Sequence, residues 1–221
     1  MKIISIEKLR RGGKFKVSLA AGESHPRESK DLILSKDVIV DYGLRRYDEI
    51  SEETASKILD SQLYHDTYFA AMRLINYRMR TRTELTQRLR EKSFPAETIE
   101  RVTDRLTGLG LVDDRKFAEI FVAAKVARKP VGKRELERRL REKGIMKEIA
   151  AMALSAVSED GRQLELATQA AEIKIRSLKR FDAKKRKGKL AAFLVRRGFD
   201  WSVIKKVIMR LMEDEFDGGD S

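Results

Sequence analysis

Cysteine is absent from this 221-residue sequence, proline occurs three times and tryptophan once. Without cysteine there is no disulfide frame, no thiol nucleophile and no thiolate metal site. The two histidines, His25 and His65, stand far apart, one in a polar loop beside Pro26 and one at a helix start beside Asp66. Lone histidines so placed make poor metal ligands. A run of about 18 apolar residues, the length a spanning helix needs, is missing, so no membrane partner is expected. Met1 to Glu7 is too short and too soon charged for a signal peptide, which favours a cytoplasmic protein. There is no phosphate loop, no dinucleotide turn and no zinc-protease helix. Asp113-Asp114 is an adjacent carboxylate pair that reads as a helix N-cap followed by an acid suited to the helix dipole. A metal-dependent nucleic-acid enzyme built on that pair is the weaker alternative. No convergent acid, base and nucleophile set is visible, so the expectation is no catalytic residue, no cofactor and no metal.

What the sequence has in abundance is positive charge. There are 48 Lys and Arg against 35 Asp and Glu, a net charge of +13. The excess is uneven: residues 131–212 hold 22 basic and 10 acidic side chains, while residues 1–60 hold 12 and 11. The last nine residues carry five acids and no base. A basic body attracts polyanions or an acidic groove on another protein.

The sequence also repeats itself. Glu84-Leu85, Arg88-Leu89, Lys92-Ser93-Phe94, Ile99, Val102 and Leu106 return as Glu135-Leu136, Arg139-Leu140, Lys143-Gly144-Ile145, Ile149 and Met152. They return again as Leu190, Phe193-Leu194, Arg197-Gly198-Phe199, Ile204, Val207 and Leu211. Leu85 and Leu136 are 51 residues apart, Leu136 and Leu190 are 54. A fixed long period marks stacked supersecondary units. Leucines four apart share one helix face. Thr81 and Glu84 have capping-box spacing. Gly144 and Gly198 stand where the chain leaves a helix left-handed; Ser93 breaks that pattern at a small cost. The apolar residue after each plugs the corner, Pro95 suits a first helical position, and Asp200 is a good N-cap.

In order, Ile3 to Ile6 and Phe15 to Leu19 are β-prone runs joined by Gly12-Gly13, which predicts a hairpin, and Leu32 to Leu34 adds a strand. Lys36 to Asp41 reads as a short helix broken at Gly43. Such a sheet is too small to stand alone and should lean on the next helix. That helix starts at Ser51 and runs, with a break near Ser61, to about Met79, with Leu63, Ala70, Leu74 and Tyr77 inward. Helix pairs follow at 82–92 and 95–108, 133–143 and 146–157, 183–197 and 201–213, and longer helices at 114–129 and 160–179 precede the last two. The predicted fold is mainly α: a tandem array of three three-helix repeats, elongated and curved, after a small β-containing N-terminal module. The boundaries are 1–50 for that module, 51–110, 111–158 and 159–214 for the repeats, and 215–221 for an acidic, disordered tail.

Basic residues recur at matching places in the repeats: Arg78, Arg80, Arg82 and Arg88; Lys133, Arg134, Arg138, Arg139 and Lys143; Lys185, Arg186, Lys187, Arg196 and Arg197. For a single residue a solvated, Glu-offset face is the better reading. For the set, one positive stripe is the better reading. Arg forks onto phosphates and carboxylates alike. Few aromatics lie among these bases, so base stacking is not the main mode.

Three stretches, Tyr77 to Leu85, Gly110 to Ala118 and Leu140 to Ile145, resemble the RecX family, bacterial regulators of the RecA recombinase. Val40 to Leu44 with Glu49 to Ser51 is similar to the β-containing extension that some members carry. The likeness covers nearly the whole chain, with Ser93 a departure from the usual glycine. It implies a non-enzymatic protein of tandem three-helix repeats that binds in the groove of the RecA–single-stranded-DNA filament. By that contact it would suppress the filament's ATPase, strand exchange and co-protease activities, and so modulate recombination, DNA repair and the SOS response. The implied partners are the RecA filament, single-stranded DNA and, in some members, duplex DNA, with this chain a monomer. A stand-alone DNA-binding regulator with helix-turn-helix-like repeats is the alternative.

Overall fold

The computed structural model describes residues 1–10, 12–20 and 29–217. His25 and the end of the acidic tail lie outside the described residues. The described chain divides into two compact units: Met1–Arg78 with Leu85–Gly108, and Met79–Glu84 with the chain from Leu109 onward.

The first unit opens with a meander of β1 (Lys2–Lys8), β2 (Lys14–Ala20) and β3 (Ser29–Ser35), antiparallel in the order β1-β2-β3. The predicted Gly12-Gly13 turn has both residues left-handed, at φ +82° and +64°. Helix α1 (Lys36–Asp41) follows directly, and Gly43 breaks it at φ +59°. Alternation puts Ile3, Val17, Leu19, Leu32 and Leu34 on one sheet face, where they are buried with Val38, Ile50, Ala55 and Ile58. The last two belong to α2 (Glu52–Tyr77), so the sheet does rest on the helix after it. Two polar ties strengthen the seam: the Ser35 amide donates to Gln62 Oε1 at 2.6 Å, and Lys14 pairs with Asp66 at 2.7 Å.

Ser51 caps α2 by accepting from the Thr54 amide at 3.0 Å. The helix then runs 26 residues without the break expected near Ser61. Propensity explains this, because one serine in a helix costs only about half a kcal/mol relative to alanine and packing overrides it. His65 is therefore mid-helix, its Nε2 3.7 Å from Asp41. Tyr77, expected to point inward, is 84 % exposed. The buried line is instead Ile58, Gln62, Thr67, Ala70 and Ala71. Helices α3 (Arg82–Arg90) and α4 (Ala96–Gly108) complete the first triplet and bury Leu85, Leu89, Ile99, Val102 and Leu106.

The second unit holds the other two triplets. These are α5 (Asp114–Arg128), α6 (Lys133–Glu142) and α7 (Lys147–Ser158), then α8 (Asp160–Ile175), α9 (Ala183–Arg196) and α10 (Trp201–Asp217). A 3-10 turn at Arg176–Leu178 ends α8, inside the stretch expected to be one helix to 179. One continuous core joins both triplets, with Phe117, Leu136, Leu140, Leu154, Leu166, Leu190, Leu194, Phe199 and Ile204 among its buried members. Helix α6 is otherwise polar. Leu136 and Leu140, both fully buried, hold it down and contribute about 3–6 kcal/mol together.

The repeats join by one recurring contact. Thr81 Oγ1 accepts from the Glu84 amide at 3.0 Å, as the capping-box spacing predicts, and donates to the Lys143 carbonyl at 2.7 Å. Thr83 lies against Gly144, where an added Cβ would meet its side chain at 2.2 Å. One repeat later, the Gly132 amide donates to the Arg197 carbonyl at 2.8 Å and the Arg134 amide to the Gly198 carbonyl at 3.1 Å. A Cβ on Gly198 would meet the Glu135 amide nitrogen at 2.4 Å. Each time, the start of a repeat's second helix docks on the glycine corner of the following repeat. The amide next along is satisfied by the following repeat's leading helix: Arg82 donates to Asp114 Oδ1 at 2.8 Å, Lys133 to Gln163 Oε1 at 3.1 Å. Gly144 and Gly198 have φ +75° and +83°. Ser93 takes the same left-handed turn at φ +63°. It is exposed, and among the described residues no hydrogen bond joins it to another element, so its corner can carry a side chain.

Candidate polyanion-binding site

The basic residues singled out from sequence fall into two groups. Half are engaged with nearby acids. Arg88 pairs with Glu91 at 2.7 Å in the first unit. In the second unit Lys133 approaches Glu137 at 3.9 Å, Arg134 meets Asp200 at 2.5 Å, and Lys185 lies 3.3 Å from Asp182 at the α9 N-terminus. Lys143 bridges to Glu84 across the repeat junction. Glu135 is gripped by Arg138 at 2.8 Å and Arg139 at 2.6 Å, and Arg138 also reaches Glu142. The Arg138 hydrogen bond, with Arg139 behind it and burial opposing, holds the Glu135 carboxyl down to about 2. Arg78 is the exposed residue ending α2, Arg80 and Arg82 are half-buried beside the first junction, and Arg186 is half-buried on α9. Lys187 and Arg196 are exposed and have no acidic partner among the described residues.

Asp113 and Asp114 are structural. Asp113 accepts from the Lys116 amide at 2.9 Å as the α5 N-cap. Asp114 serves the junction, and burial raises its carboxyl above the ordinary range, with the Arg82 amide partly offsetting this. Among the described residues no group of three His, Asp or Glu is placed to hold a metal ion.

Two of the sequence-derived residues, Arg139 and Arg197, meet in a hollow of about 200 Å³ inside the second unit. Lys125, Arg128 and Lys129 join them there, over a floor of Val131 and Leu136. No acid lines it. Nothing in the repeat pattern marks these last-turn residues of α5, and cations at a helix C-terminus are ordinary partners of the dipole. What makes them a site is the junction. Arg197, 67 residues beyond Pro130, donates to the Pro130 carbonyl at 3.4 Å and lies over the Phe193 ring at 5.1 Å. Lys125 sits over Phe121 at 5.3 Å, and Phe121 stacks on buried Phe117 at 6.0 Å. The rings hold the cationic heads in position without neutralising them. Arg139 is shared with Glu135, and the other four cations around a partly enclosed hollow raise the local potential beyond what the same charges give on a convex surface. The chemistry available is attraction for phosphate or clustered carboxylate.

The comparisons agree with this architecture. The models for the first, second and third three-helix domains of RecX match residues 68–106, 113–154 and 161–208. Regulatory protein RecX of Chlorobium limicola is 39% identical over 143 residues, covering 65% of this chain and 87% of its own. That of Clostridioides difficile is 29% identical over 187 residues, 84% of this chain and 87% of its own. A solved RecX from Lactobacillus salivarius superposes with a TM-score of 0.63 at 26% identity, over 68% of this chain and 97% of that one. A second crystal structure, of regulatory protein RecX, gives 0.74 at 24% identity, over 93% and 98%, and shares the fold. No helix among the described residues is long and apolar enough to cross a membrane. With all three helical domains matched in order, and relatives aligned over most of their length, the chain belongs to the RecX family of regulatory proteins.

Proposed function

We propose that this protein regulates the RecA recombinase without catalysing a reaction. In this reading a monomer lays the cation-lined surface of its second and third repeats on the polyanionic RecA–single-stranded-DNA filament in the cytoplasm. It thereby modulates recombination, DNA repair and the SOS response. The observation that carries it is the acid-free lining of the hollow, where Lys125, Arg128, Lys129 and Arg197 make no ion pair among the described residues and Arg139 alone is shared with Glu135. Charge withheld from internal pairing is available to an external polyanion. Binding that displaces counterions weakens steeply with salt.

A stand-alone regulator reading duplex sequence fits less well. A helix-turn-helix presents the N-terminal residues of its recognition helix to base edges. Here the first turns of α3 and α6 are engaged in repeat junctions.

The test is single-stranded-DNA-dependent RecA ATPase, titrated with this protein. ATPase should fall at or below equimolar amounts. Replacing Lys125, Arg128 and Lys129 with Gln together should raise the half-inhibiting concentration by about ten-fold or more, equivalent to about 1.4 kcal/mol. An ATPase indifferent to an equimolar amount of the wild-type protein removes the proposal.

A further inference from the structure

The two edges of the N-terminal sheet are finished differently. Along β1 the chain returns over residues 46–50 and covers the edge. The Ile3 amide donates to the Asp48 carbonyl at 2.9 Å, the Tyr47 amide to the Ile3 carbonyl at 2.8 Å, and the Ile50 amide to the Met1 carbonyl at 2.8 Å. Arg46 Nε donates to the Ile4 carbonyl at 2.8 Å. Along β3 no such return exists among the described residues. The Lys14 carbonyl accepts from the Leu9 amide, so Lys14 turns its backbone polar groups toward β1. Its partner Ser35 therefore turns its own groups away from β2, and Gln62 meets the Ser35 amide there. Directions alternate along a strand. Leu32 and Leu34 thus bond to β2, while Asp31 and Ile33 each direct an N–H and a C=O to the open edge. Among the described residues no other element bonds to those four groups.

Free edges in folded proteins are usually blunted by a bulge, a proline or a covering segment. The β2–β3 register runs unbroken from Lys14 and Ser35 to Ala20 and Ser29, and β3 holds no proline. The one register shift in the sheet lies on the covered side, between Ile3 and Ser5 of β1. Beside the open groups Ile33 is 44 % exposed, on the solvent face of the sheet. Lys30 and Lys36 flank this stretch, both exposed and neither in an ion pair among the described residues. Asp31 is already engaged, with Lys16 at 2.8 Å and the Ser18 hydroxyl at 2.7 Å. Asp37 stands in the first turn of α1, where the helix dipole takes its charge. The edge therefore has an apolar centre between two unpaired cations.

We infer that β3 takes up an extended acidic peptide segment of another protein as a fourth strand of the sheet. The segment has apolar residues at its centre and carboxylates toward its ends. Main-chain hydrogen bonds to Asp31 and Ile33 supply the attachment, and alternate side chains supply the selectivity. An apolar residue lies along Ile33, and the carboxylates answer Lys30 and Lys36. Only an extended chain meets all four groups. A helix spends its own backbone groups internally, and a nucleic acid has no row of alternating N–H and C=O. A second copy of β3 running antiparallel would bring its Lys30 toward Lys36, like charge to like. The surface lies in the first unit and does not depend on the RecA reading.

The experiment uses the full chain and a fluorescein-labelled peptide, Glu-Asp-Val-Thr-Val-Thr-Asp-Glu, read by anisotropy and by amide hydrogen exchange. The peptide should bind and slow exchange at the Asp31 and Ile33 amides by about ten-fold or more, leaving Leu32 and Leu34 as they were. Two N-methylated peptides, one for each set of alternate amides, should differ. Methyl groups on the set facing β3 abolish binding, and those on the other set leave it intact. Lys30→Glu with Lys36→Glu should weaken binding by about ten-fold at low salt and turn the preference to a peptide with Lys and Arg ends. Ile33→Pro removes an outward donor, which an edge position tolerates, and should abolish binding. Should that variant not fold, the lysine variant and the methylated pair decide. No binding of the acidic peptide up to about 1 mM overturns the inference. So do equal binding of the basic-ended peptide by the wild type, equal loss in both methylated peptides, and unchanged affinity in the lysine variant. Asp31 and Ile33 amides already protected in a concentration-dependent dimer overturn it as well, with a second copy as the occupant.

Discussion

The three corner residues Ser93, Gly144 and Gly198 share one backbone conformation but not one environment, and a substitution series separates the two. A non-glycine residue in the left-handed region costs about 1–2 kcal/mol. Ser93 already bears that cost, so Ser93→Gly should stabilise by about 0.5–1 kcal/mol after glycine's greater freedom in the unfolded chain is subtracted. Gly144→Ala adds the conformational cost plus a Cβ 2.2 Å from the Thr83 side chain. Thr83 sits at an exposed helix start and is able to shift, so about 2–3 kcal/mol is expected, within the range for overpacking. Gly198→Ala drives its Cβ to 2.4 Å from the Glu135 amide nitrogen, where backbone must move. The same contact holds the amides of Gly132 and Arg134, so about 4 kcal/mol is expected, close to the upper limit for one substitution. For a chain of this size each kcal/mol shifts the melting temperature by about 2–4 °C. Circular dichroism melts should therefore show Gly198→Ala lower by about 8–16 °C, Gly144→Ala lower by about 4–12 °C, and Ser93→Gly slightly raised. Thr83→Gly combined with Gly144→Ala should cost less than the sum of the two alone. Equal losses at 144 and 198, or destabilisation by Ser93→Gly, would refute the account of the corners.

Glu135 gives a pH prediction. Its carboxyl is depressed to about 2 in the folded chain against an ordinary 4.5. The stabilisation is present above the unfolded value and lost as pH falls from about 4.5 to 2, amounting to about 1–2 kcal/mol after allowing for the half-exposed arginines. Urea midpoints over that window should fall less steeply for Glu135→Gln than for the wild type. Asp114 works in the opposite sense, since burial raises its carboxyl and its charge is unfavourable as pH rises through the folded value. Asp114→Asn, which keeps an acceptor for the Arg82 amide, should be neutral or stabilising at pH 7, whereas Asp114→Ala should cost about 1 kcal/mol. In the RecA ATPase assay, the α5 triple variant should lose inhibition while Arg138→Gln, whose charge is spent on Glu135 and Glu142, should retain it. A reversed order would move the contact to α6.

Much of the architecture was legible because its signals are local. The Gly12-Gly13 turn, the Ser51 and Asp113 caps, the Thr81–Glu84 capping box and the leucine pairs each state their structure within a few residues. Tyr77 was misread because periodicity gives the inward face of a helix only while something packs against it, and at its C-terminal end α2 leaves Tyr77 bare. The site was less legible. Arg138, Arg139 and Lys143 looked available in sequence, but Glu135 lies within one turn of the first two, and Glu84, 59 residues before Lys143, is brought to it by a junction. Lys125, Arg128 and Lys129 stand at a helix end, where cations are ordinary, and only the fold brings Arg197 to them. Pairing and clustering over such separations are tertiary facts that no window of sequence contains.

The junction contact has a polarity. A repeat offers its second-helix start to its successor and its glycine corner to its predecessor, like a hook and an eye. The third repeat's second helix is capped by its own Asp182, which accepts from the Lys185 amide at 2.9 Å. The first repeat's eye carries a serine instead of the glycine a predecessor would require. An engineered fourth repeat added in front would need Ser93 changed to glycine, to admit the close approach that Gly144 and Gly198 admit.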